Sequence, residues 1–187
     1  MDFRIREYLP HQRPLWVHER DPLFITVCHR QRKVRHFDNT SAWSAILAST
    51  HHLAERGKWT PLMMLAMPDH LHGIVMIPHS SRIQQTLGSF KRDIGYAWPT
   101  DWQRDAFDHR IRSYEQLLET KAYIRSNPVR AGFAGRPEDW PYVAEWPMRQ
   151  ESDEGSTRCC PYLETESHSA IAAFSSLSMR RNSPGVS

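Results

Sequence analysis

The order in which strand-like and helix-like segments follow one another is the feature that most restricts the fold of this chain. Short apolar runs typical of strands alternate with longer segments whose apolar side chains recur at helical spacing. The strand-like segments are residues 23–29, 59–67, 70–77 and 107–112, and the helix-like segments are residues 39–57, 82–97 and 114–127. The order β-α-β-β-α-β, followed by a terminal helix, predicts a ferredoxin-like α+β sandwich.

Composition divides the chain into three parts. An arm over residues 1–22 is rich in Arg, His and Pro, and a tail over residues 149–187 is rich in Ser. The tail has no sustained periodicity, which predicts disorder. The body over residues 23–148 carries the strand and helix patterns and is predicted to form one domain.

Composition also restricts the cellular setting. No run of about 18 apolar residues occurs, so no transmembrane helix is predicted, and the N-terminal sequence lacks the apolar stretch of a signal peptide. The three cysteines have neither the number nor the spacing of a disulfide framework or a four-cysteine zinc site. We therefore expect a cytoplasmic protein.

The basic residues are almost all arginine. The net charge is +3, and only four of the 24 basic residues are lysines. The planar guanidinium of arginine suits phosphate, although a GC-rich genome gives the same bias without any function. The charge is compatible with a nucleic-acid partner and does not by itself establish one.

Two histidines separated by one residue begin the third strand, in the sequence His70-Leu71-His72. Side chains alternate along a strand, so both imidazoles are predicted on one face of the sheet and Leu71 on the other. Two neutral imidazoles on a rigid strand form half of a site for a divalent cation. Taken alone, the pattern fits an ordinary solvated strand face at least as well.

The last helix is predicted to begin at the capping residue Ser113 and to end near Asn127, because Pro128 disfavours helical geometry in the residue before it. With about 100° between successive residues, its apolar side chains define one core-facing side. The predicted core-facing positions are Leu117, Leu118, Ala122 and Ile124. Tyr123 and Asn127 then lie together on the polar side, where a phenol could act as a nucleophile. Another segment covering that side would make the tyrosine structural, and geometry leaves both alternatives open.

Five motifs occur in the order found in one known family. They are MPDHLHGIV (Met67–Val75), SFKR (Ser89–Arg92), WQRDAFDHRIR (Trp102–Arg112), YIRSNPVRAG (Tyr123–Gly132) and RPEDWPY (Arg136–Tyr142). The sequence resembles the REP-associated tyrosine transposases, which are insertion-sequence-200-like single-strand transposases of the HUH class. The resemblance covers roughly residues 23–142 and leaves the arm and the tail unexplained.

The resemblance implies roles for four residues. His70 and His72 match the metal-binding histidines of the HUH motif, Tyr123 matches the single nucleophilic tyrosine, and Asn127 matches the polar third metal ligand. The implied activity is cleavage and rejoining of DNA at hairpin-forming repetitive palindromic elements through a 5′-phosphotyrosine. The implied cofactor is Mg²⁺ or Mn²⁺.

Two positions depart from the family pattern. Asp69 precedes the histidine pair where many members have Asn, and Gly73 follows it where a larger apolar residue is common. Neither change removes a ligand, so the implied activity stands.

The resemblance also implies a partner, single-stranded or hairpin DNA, and a monomer is expected over a homodimer. Arginines around the motifs are candidate DNA contacts, and strand periodicity predicts Arg110 and Arg112 on one face of the fourth strand. The candidates are Arg92, Arg104, Arg110, Arg112, Arg125 and Arg130. Exposed aromatic residues could stack on unpaired bases, but Phe90 and Phe107 are predicted to be core.

Two other functions fit the same residues. One is a protein that binds DNA hairpins but no longer cleaves them. The other is a metal-dependent phosphoesterase that uses water in place of Tyr123. The presence of all four implied active-site residues favours the transposase.

Overall fold

The computed structural model describes residues 22–147. The tail, and all but one residue of the arm, lie outside the described residues, so the disorder expected of the tail and the three-part division stay predictions. None of the helices within residues 22–147 is long and apolar enough to cross a bilayer.

Strands and helices follow one another in the predicted order. The strands are β1 (Leu23–Cys28), β2 (Thr60–Met67), β3 (His70–Met76), β4 (Phe107–Arg110) and β5 (Val143–Glu145). The helices are α1 (Thr40–Glu55), α2 (Ile83–Ala97) and α3 (Tyr114–Arg130), with a 3₁₀ turn at Pro137–Asp139. Asn39 caps α1 by accepting from the amide of Ala42 at 2.9 Å.

The strands of the described region form one antiparallel sheet in the order β4-β1-β3-β2-β5. Its first four strands have the ferredoxin-like order, with β3 between β1 and β2, so the predicted fold class is confirmed. The sequence patterns did not predict β5, which pairs with the outer edge of β2 through Leu65 and Val143. Three residues are too few to show a period of two.

Side-chain alternation divides the sheet between two cores. Leu71 and Val75 of β3 pack in the core shared with α1 and α2, whereas Ile74 packs in the core shared with α3. Residues that differ by two along a strand share a face. His70 and His72 therefore lie on the α3 face of the sheet, as the alternation predicted.

The core-facing side of α3 differs from the prediction. Leu117, Ile124 and Pro128 are buried, at positions i, i+7 and i+11, whereas Leu118 is 50% exposed and Ala122 is also exposed. The helix packs over β2 through this rotated stripe. Rotation brings Tyr123 from the far polar side to the margin of the contact with the sheet.

Helix α3 also continues past its predicted end. It runs through Pro128 to Arg130 and ends before Gly132, which has a φ of 75°. A proline inside a helix forfeits one backbone hydrogen bond, and here its ring is buried. The amide of Phe133 donates to the carbonyl of Pro128 at 2.8 Å and closes the last turn.

Candidate active site

The two histidine rings lie edge to face on the α3 side of the sheet. Their centroids are 4.7 Å apart, and the Nε2 atom of His70 is 3.1 Å from the Nε2 atom of His72. His72 is buried, and His70 at the start of β3 is partly buried. Strand geometry fixes this pair because both side chains leave the same face of one strand.

The remaining ring nitrogen of each histidine has its own partner. The Nδ1 atom of His70 is 2.6 Å from Oδ1 of Asp69, and Nδ1 of His72 is 3.0 Å from Oγ1 of Thr26. Thr26 reaches His72 because the two residues lie opposite each other in the β1–β3 ladder. An ionised carboxylate only accepts hydrogen bonds, so Asp69 assigns the proton of His70 to Nδ1 and leaves a lone pair on Nε2.

The separation of the two Nε2 atoms is suited to a shared cation. Two nitrogens that each lie about 2.1 Å from one metal ion, at a right angle, are about 3.0 Å apart. Among residues 22–147, no group of three or more His, Cys, Asp or Glu side chains could hold a metal ion. A cation on this pair would therefore take its other ligands from amide, phosphate or water oxygens, which Mg²⁺ and Mn²⁺ prefer.

Both imidazoles are neutral at pH 7. Burial, with smaller contributions from His70 and Arg32, lowers the pKa of His72 to about 3. Burial also lowers the pKa of His70, and this effect outweighs the opposing influence of the Asp69 carboxylate. Neutral imidazole is the form that binds metal ions.

Asp69 is ionised although it is buried. Burial alone would raise its pKa, but hydrogen bonds from His70 and from the amide of Lys33, together with the charge of Arg32, hold the pKa below its usual value. The Lys33 amide donates to Oδ2 at 2.8 Å, and Nε of Arg32 lies 3.1 Å from the same oxygen. One carboxylate thus joins the β1–α1 loop to the histidine pair.

Lys33 adopts an unusual backbone conformation at this contact. Within the described residues it is the one non-glycine residue with a positive φ, at 64°. Such conformations persist where the surroundings fix them, and they concentrate at functional sites. The amide that donates to Asp69 belongs to this residue, so the contact supports both the loop and the site.

Tyr123 lies beside the histidine pair. Its ring centroid is 6.2 Å from that of His72 and 6.2 Å from that of Phe24, with edge-on geometry at Phe24. The side chain is 44% exposed, and the guanidinium of Arg130 lies 5.4 Å above the ring centroid. The structure thus brings together three of the four residues that the resemblance implied.

Asn127 follows Tyr123 by one helical turn. Its Nδ2 atom donates to the backbone carbonyl of Tyr123 at 3.0 Å, which leaves Oδ1 outside that bond. Oδ1 is the atom that a hard cation would use. The role of Asn127 as a third ligand stays a prediction.

The candidate DNA-binding arginines are dispersed. On α3, Arg130 contacts Tyr123, whereas Arg125 forms an ion pair with Glu145 of β5. On α2, Arg92 donates to Oγ of Ser89 at 3.1 Å. Arg104 is exposed in the segment after α2. Contact of these side chains with DNA stays a prediction.

The predicted common strand face of Arg110 and Arg112 requires correction. Strand β4 ends at Arg110, so Arg112 lies outside it. Arg110 is opposite Leu23 in the ladder, and opposite residues of an antiparallel pair share a face. Leu23 packs in the core of α1 and α2. Arg110 therefore lies on the face of the sheet that carries α1 and α2, away from His72.

Sequence reasoning missed several residues that build the site. Thr26 and Phe24 carry no motif, and only the β1–β3 register places them against His72 and Tyr123. Arg32 belongs to a basic loop that the sequence does not connect to Asp69. The one available signal was Asp69 itself, a carboxylate next to the histidine pair.

Comparison with known proteins confirms the resemblance. No family model matches the chain. A REP-associated tyrosine transposase of Haemophilus influenzae is 29% identical over 93 residues, covering 41% of this chain and 53% of that protein. One from Escherichia coli K12 is 29% identical over 83 residues, covering 42% of this chain and 49% of that protein. The chain thus spans about half the length of the curated relatives it matches.

The fold is also found in a solved structure. A REP-associated tyrosine transposase bound to a REP hairpin superposes with a TM-score of 0.61 at 18% sequence identity. The match covers 80% of this chain and 99% of that structure. At this identity the match establishes a common fold.

Proposed function

We propose that this chain is a single-strand DNA transposase that cleaves and rejoins DNA at hairpin-forming repetitive palindromic elements. The observation that carries the proposal is the arrangement of His70 and His72, whose Nε2 atoms face each other 3.1 Å apart with the Tyr123 ring against His72. A nucleophile next to a half-formed cation site is what phosphodiester cleavage through an enzyme-linked intermediate requires.

Similarity supports the proposed substrate. The curated relatives are named for REP elements, and the structural neighbour was solved with a REP hairpin. We extend this substrate class to the present chain because its sequence carries the histidine pair, Tyr123 and Asn127 in the same order as the family motifs.

The proposed cleavage step uses Tyr123 as the nucleophile. Its phenolic oxygen attacks the scissile phosphorus, a P–O bond to Tyr123 forms, and the bond to the 3′-oxygen breaks. The phenolic proton is lost and the 3′-oxygen gains one, so the products are a 5′-phosphotyrosine and a free 3′-hydroxyl. Attack of a 3′-hydroxyl on the phosphotyrosine reverses the step, so rejoining needs no ATP.

The surrounding residues have separate roles in this proposal. His70, His72 and Oδ1 of Asn127 would hold a divalent cation, Mg²⁺ or Mn²⁺, which when bound offsets negative charge on the phosphate. Asp69 and Thr26 orient the two imidazoles through their Nδ1 atoms. The guanidinium of Arg130, above the Tyr123 ring, would supply positive charge beside a phosphate bound at Tyr123.

A denaturing gel distinguishes the candidate functions. Purified protein is incubated with labelled single-stranded DNA that carries a REP hairpin, with Mn²⁺ or with a chelator. The proposal predicts a protein–DNA adduct that resists denaturation and forms only with the metal. Cleaved DNA without an adduct would indicate a phosphoesterase that uses water. Binding without cleavage would indicate a hairpin-binding protein.

A further inference from the structure

We propose that Phe107 is a stacking subsite for an unpaired nucleobase next to the position of cleavage. The inference deepens the proposed function and rests on it, because it assumes that single-stranded DNA occupies the α3 face of the sheet. It assigns a ligand-binding role to a side chain that the sequence predicted to be core.

Phe107 is not core, and the sheet topology explains why. Its side chain is 57% exposed. Strand β4 is an edge strand, and α3 packs over β2 on the other side of the sheet centre. On this face α3 approaches β4 at its first turn, where Gln116 contacts His109, and leaves Phe107 at the start of β4 exposed.

Phe107 shares a face with the active-site residues. It is opposite Thr26 in the β1–β4 ladder, and Thr26 is opposite His72 in the β1–β3 ladder. Opposite residues of antiparallel pairs project from the same side of a sheet. The exposed ring therefore lies two strands away from His72 on the side where Tyr123 is located.

A continuous set of aromatic contacts joins Phe107 to the nucleophile. The Phe107 ring is 6.0 Å from the ring of Phe24 at 68°, and Phe24 is 6.2 Å from Tyr123 at 88°. Phe24 is partly buried and separates two exposed rings. A single-stranded DNA whose scissile phosphate lies at Tyr123 would bring a neighbouring base within reach of Phe107.

The backbone before Phe107 is fixed by a lysine of α2. Nζ of Lys91 donates to the carbonyl of Gln103 at 2.8 Å and to that of Arg104 at 3.2 Å. The indole of Trp102 donates back to the Lys91 carbonyl at 2.9 Å. These contacts join the SFKR motif to the WQRDAFDHRIR motif and fix the backbone that leads into β4. A fixed backbone before Phe107 reduces the conformational entropy that is lost when a base stacks on its ring.

Polar groups around the ring suit a nucleotide. His109 projects from the same face as Phe107, since the two differ by two residues along β4, and its Nε2 atom is 3.2 Å from Nε2 of Gln116. Arg112 is exposed in the link between β4 and α3. A nucleobase combines an apolar ring face with polar edges and a phosphate, and stacking on an aromatic side chain tolerates any base.

The test compares Phe107→Ala, Phe107→Trp and Tyr96→Ala. Tyr96 is 82% exposed on α2, on the opposite face of the sheet, and is the matched control. The probe is a mixed-sequence single-stranded oligonucleotide that carries a fluorescent adenine analogue, whose emission is quenched by stacking. We expect Phe107→Ala to weaken binding by roughly fivefold or more and to remove part of the quenching. Phe107→Trp should retain both signals, and Tyr96→Ala should change neither.

An abasic scan locates the stacked base. A REP hairpin with a single-stranded extension is made with an abasic nucleotide at each extension position in turn. At one position, removal of the base should weaken wild-type binding and abolish the further loss caused by Phe107→Ala. A blunt hairpin without an extension should bind wild type and Phe107→Ala equally, which also shows that the variant is folded.

The outcomes separate the two proposals. Unchanged affinity and quenching in Phe107→Ala, with the wild type still forming its adduct, would overturn the stacking subsite alone. Loss of affinity in Phe107→Ala, with no adduct from the wild type, would support stacking and overturn cleavage. Equal losses on every abasic probe and on the blunt hairpin would also overturn the subsite, because they indicate a structural effect.

Discussion

Burial of His72 and its hydrogen bond to Thr26 both prepare its imidazole to bind a cation. Burial keeps the imidazole neutral at pH 7 by lowering its pKa to about 3, and Thr26 holds Nδ1 at 3.0 Å. Nε2 is then left to face the Nε2 atom of His70. A ring fixed in this way binds a cation with little loss of conformational freedom.

Removing either histidine should disable the proposed cation site. We expect His70→Ala and His72→Ala to lower cleavage strongly and to weaken Mn²⁺ binding, because each change removes one of few protein ligands. Isothermal titration calorimetry with Mn²⁺ measures the affinity directly. Unchanged affinity in both variants would show that the pair is an ordinary polar strand face.

Asp69 should affect the metal through His70. We expect Asp69→Ala to weaken Mn²⁺ binding by roughly 10- to 100-fold, the usual effect of losing a partner that orients a ligand. Asp69→Asn keeps an oxygen that can accept from Nδ1 of His70, so its loss should be smaller. Nitrogen NMR of His70 should show a shift in tautomer for Asp69→Ala, and a constant tautomer population would contradict this role.

Helix α3 determines where Tyr123, the proposed nucleophile, lies relative to the sheet. Its buried stripe runs through Leu117 and Ile124, and Tyr123 projects from the margin of that stripe onto Phe24 and His72. A helix rotated to bury Leu118 and Ala122 would have carried the phenol away from the histidines.

Two apolar truncations test this orientation of α3. Ile124 is fully buried, so Ile124→Ala should reduce the free energy of unfolding by about 2–5 kcal/mol. Leu118 is half exposed, so Leu118→Ala should cost about 1 kcal/mol or less. Urea unfolding of both variants gives the comparison. A larger cost for Leu118→Ala would mean that the helix is rotated towards the orientation expected from periodicity.

At the scale of the whole sheet, the two faces carry different groups. The proposed chemistry lies on the α3 face, whereas α1 and α2 cover the other face with a large apolar core. Two candidate arginines lie on different faces and so test which face of the sheet binds DNA. Arg130 lies over Tyr123 on the α3 face, and Arg92 lies on α2.

The salt dependence of hairpin binding distinguishes the two faces. Each phosphate contact contributes about 0.7 to 0.9 to the slope of log affinity against log salt. We expect Arg130→Ala to weaken binding and to flatten the slope by about that amount. DNA bound on the α3 face alone would leave the slope unchanged in Arg92→Ala, contrary to the contact that the sequence predicted for Arg92. The reverse result would place the DNA backbone on the α1–α2 face.

Local patterns along the sequence predicted the order of the strands and helices and the shared face of the two histidines. They did not predict the contacts that depend on packing between distant segments. The His70-Leu71-His72 alternation predicted one shared face, and the strand order followed from the sequence of elements. The register that places Thr26 against His72, and the rotation of α3, depend on packing between segments distant in sequence. Phe107 was misjudged because one aromatic residue in a short strand does not show whether that strand lies at the edge or at the centre of a sheet.

The central claim is that Tyr123 forms a covalent bond to DNA, and peptide mass spectrometry of the adduct tests it most directly. Wild-type protein is incubated with REP-hairpin DNA and Mn²⁺, the adduct is digested with protease and nuclease, and the modified peptide is sequenced. The account predicts a 5′-phosphate linked to Tyr123. It also predicts that Tyr123→Phe forms no adduct while binding the hairpin within a few-fold of wild type. A linkage on another residue, or cleavage by Tyr123→Phe, would contradict the account.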